Sequence, residues 1–99
     1  MTSRPNIVFI TSHDTGRHLG CYGVDAVHTP TLDGIAGDGC RFTRVFATSA
    51  MCCASRAAMM TGLYGQRNGV TSQVNVPWVD RYRDGVRHIS HVLRDAGYH

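Results

Sequence analysis

Residues 6–11, NIVFIT, place four apolar side chains in succession from Ile7 to Ile10, with no alternation of two and no helical period. A strand built from such a run is apolar on both faces and is stable only inside a sheet that helices cover on both sides. That requirement sets the expected class: α/β, with a mainly parallel central sheet flanked by helices. In open sheets of this kind ligands bind in the loops after the strands' C-terminal ends. The run is followed at once by SHDTG, so Ser12, His13, Asp14 and Thr15 fall where a site belongs.

The remaining pattern alternates in the same sense. HTPTLDGIAGDG predicts a short helix with Thr29 as N-cap, Pro30 at its first position, Leu32, Ile35 and Ala36 on one face, and Gly39 past its end. Arg41 to Ala47, RFTRVFA, has strand propensity. SRAAMMTG favours helix through Ala57 to Met60 and stops near Gly62. Leu63 to Asp84, with Gly65, Gly69 and Pro77, reads as a loop-rich connection. VRHISHVLRDAG puts Ile89, Val92, Leu93 and Ala96 at helical spacing and closes on Gly97. No repeat, low-complexity segment or internal boundary is visible. Tyr98 and His99 resemble the approach to a further strand, so residues 1–99 are expected to be the N-terminal portion of one longer domain, truncated at its C-terminal end. In isolation such a piece is expected to leave apolar faces uncovered and to be unstable or to aggregate.

Composition narrows the partners. The chain is 42% hydrophobic and 17% charged, a globular balance. All ten basic residues are Arg and all seven acidic residues are Asp, and the net charge of +3 is spread rather than clustered. A nucleic-acid-binding arm would concentrate its charge and interleave aromatics, so no nucleic-acid partner is expected. No apolar stretch reaches membrane-spanning length and the first one is too short for a signal peptide, which leads to an expected cytoplasmic location without a membrane partner. Cys21, Cys40, Cys52 and Cys53 are then expected as thiols, and they lack the paired C-x-x-C spacing of zinc sites.

The segment AMCCASRAAMMTG, residues 50–62, joins two of these thiols to Arg56. If a helix begins near Cys53, Cys52 lies at its N-terminus, where unpaired N–H groups and the dipole favour an anion. Arg56 lies one turn later and offers a bidentate fork to an oxyanion such as sulfate or phosphate. A reactive thiolate is also favoured there. Equally, both cysteines serve as small buried hydrophobes with Arg56 on the surface. The pair alone leaves both readings open.

CCASRAAMMTG resembles the sulfatase signature C-x-P-S-R followed by a short apolar run and T-G, and PNIVFITSHDTG resembles the sulfatase opening that delivers two successive metal-binding aspartates. HTPTLDGIAGDGCRFTRVFATSAMC is similar to the segment between them, and VLRDAGYH to the helix before the next strand. The resemblance implies an alkaline-phosphatase-like fold and hydrolysis of a sulfate ester or sulfamate on a small molecule or saccharide. It implies that Cys52 is converted by a modifying enzyme to formylglycine, whose hydrate attacks sulfur with one hydroxyl, while proton loss from the other expels sulfate. It implies that Arg56 holds that hydrate and that a divalent cation, most often Ca2+ with Mg2+ as an alternative, sits beside Cys52. Asp14 matches the second metal-binding aspartate and His13 replaces the first, which exchanges an anionic oxygen for a nitrogen and shifts preference toward a metal such as Mn2+. Ala54 replaces the signature proline, which the modifying enzyme reads in the extended chain.

Three functions follow from these residues. The first is a formylglycine-dependent sulfatase. The second is a phosphonate or phosphate monoester hydrolase with the same nucleophile, and the third a non-catalytic relative in which Cys52 stays a thiol and His13 marks a degraded metal site. His18, His28, His88, His91 and His99 are read as structural or solvated, and the spacing of Gly16, Gly20 and Gly23 is not a nucleotide-binding motif. The Met59–Met60 pair is read as core.

Overall fold

The structure is a computed structural model and describes residues 4–73 and 81–99. The chain divides into two compact units, Met1–Thr43 and Arg44–His99. The division falls in an exposed stretch where Phe42, Val45 and Phe46 lack the burial that a sheet strand would have given them.

In the first unit a 3-10 turn at Gly20–Tyr22 packs on helix α1, Pro30–Asp38. Thr29 and Pro30 start the helix and the Gly39 N–H closes it on the Ile35 carbonyl at 3.0 Å, as the sequence predicts. The cap residue has a further task. Thr29 Oγ1 accepts the Gly20 N–H at 2.9 Å and donates to Asp33 Oδ1 at 3.0 Å, while the same carboxylate oxygen accepts the Cys21 N–H at 2.6 Å. Two N–H groups that a 3-10 turn leaves unpaired are thereby satisfied by side chains one helical turn apart. A Cβ at position 20 would stand 2.5 Å from Asp33 Oδ2, so a larger residue there displaces the carboxylate that caps the turn.

The second unit contains α2, Cys52–Thr61, a single turn α3, Gly65–Asn68, and α4, Ile89–Asp95. Helix α2 packs against α3 and α4. Its buried stripe is Ala54, Ala57 and Ala58, joined by Val70. The spacing of three and four places these alanines on one side of the helix. Gly62 ends α2 in the left-handed region at φ 67°, with its N–H on the Ala58 carbonyl at 2.8 Å. Met59 lies 43% exposed, so the reading of that residue as core is corrected: it falls off the alanine stripe. His88 caps α4, its Nδ1 accepting the Ser90 N–H at 3.1 Å, which gives this histidine the structural role expected of it.

The turn α3 lies inside the stretch read as loop, of which residues 74–80 fall outside the described residues. One turn is too short to show a period. It forms around Asn68, which is completely buried. Its Nδ2 donates to the Leu63 carbonyl at 2.9 Å, its Oδ1 accepts the Val70 N–H at 2.7 Å, and its carbonyl accepts the Arg83 N–H at 2.9 Å.

The described residues contain no strand, and the expected strands at 6–11 and 41–47 have no regular secondary structure. Val8 and Ile10 are 80% and 83% exposed in place of the burial expected of them. A helix satisfies its backbone from within its own segment, whereas a strand needs N–H and C=O groups from neighbouring strands. The helices of this chain therefore form as predicted, while among the described residues its strand segments join no ladder.

Asn68→Ala removes the side-chain bonds to Thr61, Leu63 and Val70 and leaves the Val70 N–H and Leu63 carbonyl without that partner in a buried setting. The expected cost is about 1–3 kcal/mol of stability, read as a lower urea midpoint with an unchanged slope.

Candidate active site

Helix α2 starts at Cys52. Met51 is the N-cap in extended conformation, at φ −84° and ψ 128°, and the Ser55 N–H makes a helical bond to the Met51 carbonyl at 2.9 Å. The N–H groups of Cys52, Cys53 and Ala54 precede that bond and belong to the helix's positive end. Cys52 and Arg56 are four residues apart, within about 40° of one another around the axis at 100° per residue, and Ala54 lies between them in sequence on the opposite, buried side. The alanine stripe thus fixes the direction in which the thiol and the guanidinium face. Both side chains are half-buried.

Cys52 and Cys53 are free thiols with their sulfurs 4.0 Å apart. Neither is fully buried, so the reading of the pair as buried hydrophobes is corrected. Ala54 has a direct bearing on where α2 begins. Proline at position 54 disfavours helical backbone at residue 53, whereas alanine is the strongest helix former and lets the helix extend back to Cys52.

His13 and Asp14 stand together in the first unit, with Nδ1 and Oδ2 3.5 Å apart and both side chains exposed. Asp14 has φ 51°, in the left-handed region that aspartate tolerates better than most residues, and Gly16 follows at φ 56°. Thr15 Oγ1 donates to the His13 carbonyl at 3.3 Å, and the Thr15 carbonyl accepts from His18 Nδ1 at 2.9 Å. His18 therefore braces the turn. The structure brings His13 to Asp14 and Cys52 to Cys53, one pair in each unit. Among the described residues no three His, Cys, Asp or Glu side chains gather into a metal cluster.

One arrangement escaped sequence reasoning. Tyr22 carries the guanidinium of Arg17 at 5.1 Å from its ring centre and that of Arg41 at 5.8 Å, while its hydroxyl donates to the Phe42 carbonyl at 2.9 Å. Arg41 also donates to the Cys21 carbonyl and lines a cleft of about 820 Å³ with Cys21, His28 and Asp33. The three cationic and aromatic residues are spaced 5 and 19 positions apart, a separation that carries no local signal.

Comparison with known proteins identifies the pattern. The sulfatase family model matches residues 5–99. The chain is 44% identical over 75 residues to human arylsulfatase H, covering 75% of this chain and 13% of that protein. It is 34% identical over 98 residues to an N-acetylglucosamine-6-O-sulfatase of Bacteroides thetaiotaomicron, covering 98% and 17%. It is 44% identical over 71 residues to human steryl-sulfatase, covering 71% and 12%. The chain spans less than a fifth of the length of these relatives. No solved structure matches. A sulfatase domain implies the alkaline-phosphatase-like α/β fold, which agrees with the class expected from residues 6–11. With the family model running from Pro5 through the turn of His13 and Asp14, helix α2 and helix α4, the chain belongs to the sulfatase family.

Proposed function

We propose that residues 1–99 are the N-terminal part of a single catalytic domain that hydrolyses sulfuric esters or sulfamates, and that Cys52 is the precursor of its nucleophile. The observation that carries this reading is the position of Cys52 as the first residue of α2, with Arg56 one turn later, inside a family match that covers residues 5–99. The helix's unpaired N–H groups favour negative charge at residue 52, and the Arg56 fork is spaced to hold the oxygens attached there. Relatives named for arylsulfate, steryl and amino-sugar substrates support an ester of sulfate as the substrate class. The 99-residue chain by itself is proposed to be inactive, because a transition state with several developing charges needs more contacts than one thiol-derived group, one arginine and one acidic turn provide.

Sulfatases generally use formylglycine and a divalent metal. The donors of the first turn suit such an ion: an imidazole nitrogen and a carboxylate oxygen 3.5 Å apart are close enough to share one cation at bond lengths of about 2.0–2.4 Å. Asp14 and His13 would hold it. The cation supplies charge neutralisation at sulfate oxygens and a lowered hydroxyl pKa. The left-handed backbone at Asp14 and the brace from His18 to Thr15 set the direction of the Asp14 carboxylate.

Ala54 favours a second reading, a non-catalytic relative with an unmodified thiol. The two separate on one peptide. Mass spectrometry of tryptic Val45–Arg56 from the full-length protein in its own host is expected to show aldehyde or its hydrate at Cys52, with Ala54→Pro raising the converted fraction. A fully reduced thiol in a host that converts another sulfatase would move the assignment to the non-catalytic relative.

Arg56→Lys keeps the charge and loses the fork. Per converted Cys52, counted on the same peptide, kcat on an aryl sulfate is expected to fall by about 10²-fold or more. An undiminished kcat would remove Arg56 from the site. Asp14→Ala is expected to lower divalent-cation affinity of the full-length protein by at least about tenfold, and His13→Asp to shift its preference from Mn2+ toward Ca2+, both read by calorimetric titration.

A further inference from the structure

Tyr22, the last residue of the 3-10 turn, carries two guanidinium groups on its ring: that of Arg17 at 5.1 Å and that of Arg41 at 5.8 Å from the ring centre. An aromatic face attracts a cation, but two cations drawn to one ring repel each other unless an anion lies near both. Among the described residues neither arginine forms an ion pair with a carboxylate. Asp33, which lines the same cleft as Arg41, is already engaged through Oδ1 with Thr29 and the Cys21 N–H. Both arginines are exposed, while Tyr22 is half-buried and anchored by its hydroxyl on the Phe42 carbonyl. The ring, and the Cys21 carbonyl that accepts from Arg41, restrain two forks whose remaining N–H donors face solvent. Arg17 also follows Asp14 by three positions, directly after the turn that His18 braces through the Thr15 carbonyl.

We propose that Arg17 and Arg41, held on Tyr22, are a subsite for a second anionic group of the substrate, a sulfate or carboxylate on an acidic saccharide, apart from the ester that is cleaved. That the bound saccharide is the substrate rests on the sulfatase reading; that it binds does not. A guanidinium meets either oxyanion with two parallel N–H bonds, and forks restrained before the ligand arrives lose little freedom on binding it. The two guanidinium carbons are no further apart than their two distances from the ring centre laid end to end, a span that neighbouring sugars of one chain cover. An aryl or steryl alcohol carries no charge beyond the ester and would leave both forks on water, so the pair favours an acidic saccharide among the esters of the proposed function. A nucleic-acid track would continue its charge along a groove with several stacking aromatics, whereas this pair centres on one ring.

The test uses the full-length protein carrying Cys52→Ala, which holds a probe without hydrolysing it and makes binding independent of conversion at residue 52. A fluorescently labelled chondroitin sulfate tetrasaccharide is titrated at fixed ionic strength and read by anisotropy. Arg17→Gln and Arg41→Gln are each expected to raise Kd at least about fivefold. Arg94→Gln, at an exposed position of α4, removes the same charge and is expected to leave Kd unchanged. Arg41 supports the Cys21 carbonyl, so if Arg41→Gln fails to fold, Arg17→Gln decides: its side chain holds no backbone group among the described residues. No binding by the parent, an unchanged Kd in Arg17→Gln, or the same rise in Arg94→Gln would overturn the proposal. An equal loss of affinity for a single-stranded oligonucleotide would overturn it too, by marking a general polyanion surface. An absent aldehyde in the host leaves this binding standing, and a failed titration leaves the sulfatase reading to the Cys52 peptide.

Discussion

The second unit is organised by the buried side of α2. Ala54, Ala57 and Ala58 lie under 6% exposed, and their small side chains let the turn α3 and the Val70 segment come close. Little apolar area is buried by three alanines and a valine, so the polar centre of the unit must be fully satisfied for the packing to hold. Asn68 meets that requirement with bonds to Leu63, Val70 and Arg83. Thr61 adds to it, donating to the Ala57 carbonyl at 2.7 Å and accepting from Asn68 at 3.4 Å. Once one side of α2 is pinned in this way, Cys52 and Arg56 have a fixed direction on the other.

Position 54 belongs to both sides of that arrangement. As a buried residue it must be small, and as a first-turn residue it decides where the helix begins. Proline in the family signature favours extended backbone just before it, and alanine removes that restriction. In this chain the helix begins at Cys52. The start of the helix and the suitability of Cys52 for modification thus answer to the same substitution.

The helices were legible because their instructions are local. Thr29, Pro30 and Gly39 bracket α1 by cap preference, Gly62 ends α2 where a left-handed residue is needed, and α4 follows the spacing of Ile89, Val92 and Leu93. The candidate site residues were legible as a spacing; in the structure Cys52 and Arg56 share α2 and His13 and Asp14 stand 3.5 Å apart. Other features were not legible. Asn68 reads as an ordinary loop polar residue, and its complete burial comes from three separate backbone segments meeting around it. The double use of Asp33 and Thr29 to satisfy the turn at Gly20, and the pairing of Arg17 and Arg41 over Tyr22, join residues too far apart in sequence for any period to register.

The strand segments mark the limit from the other direction. Residues 6–11 state their requirement, burial on two faces, and among the described residues the run stays exposed and joins no strand. The sequence by itself determined the helices, the family and the residue types at the candidate site, because capping, helical period and motif spacing act over a few positions. The tertiary structure decided the direction of α2 and the burial of Asn68, because each depends on atoms from distant segments filling the same small volume.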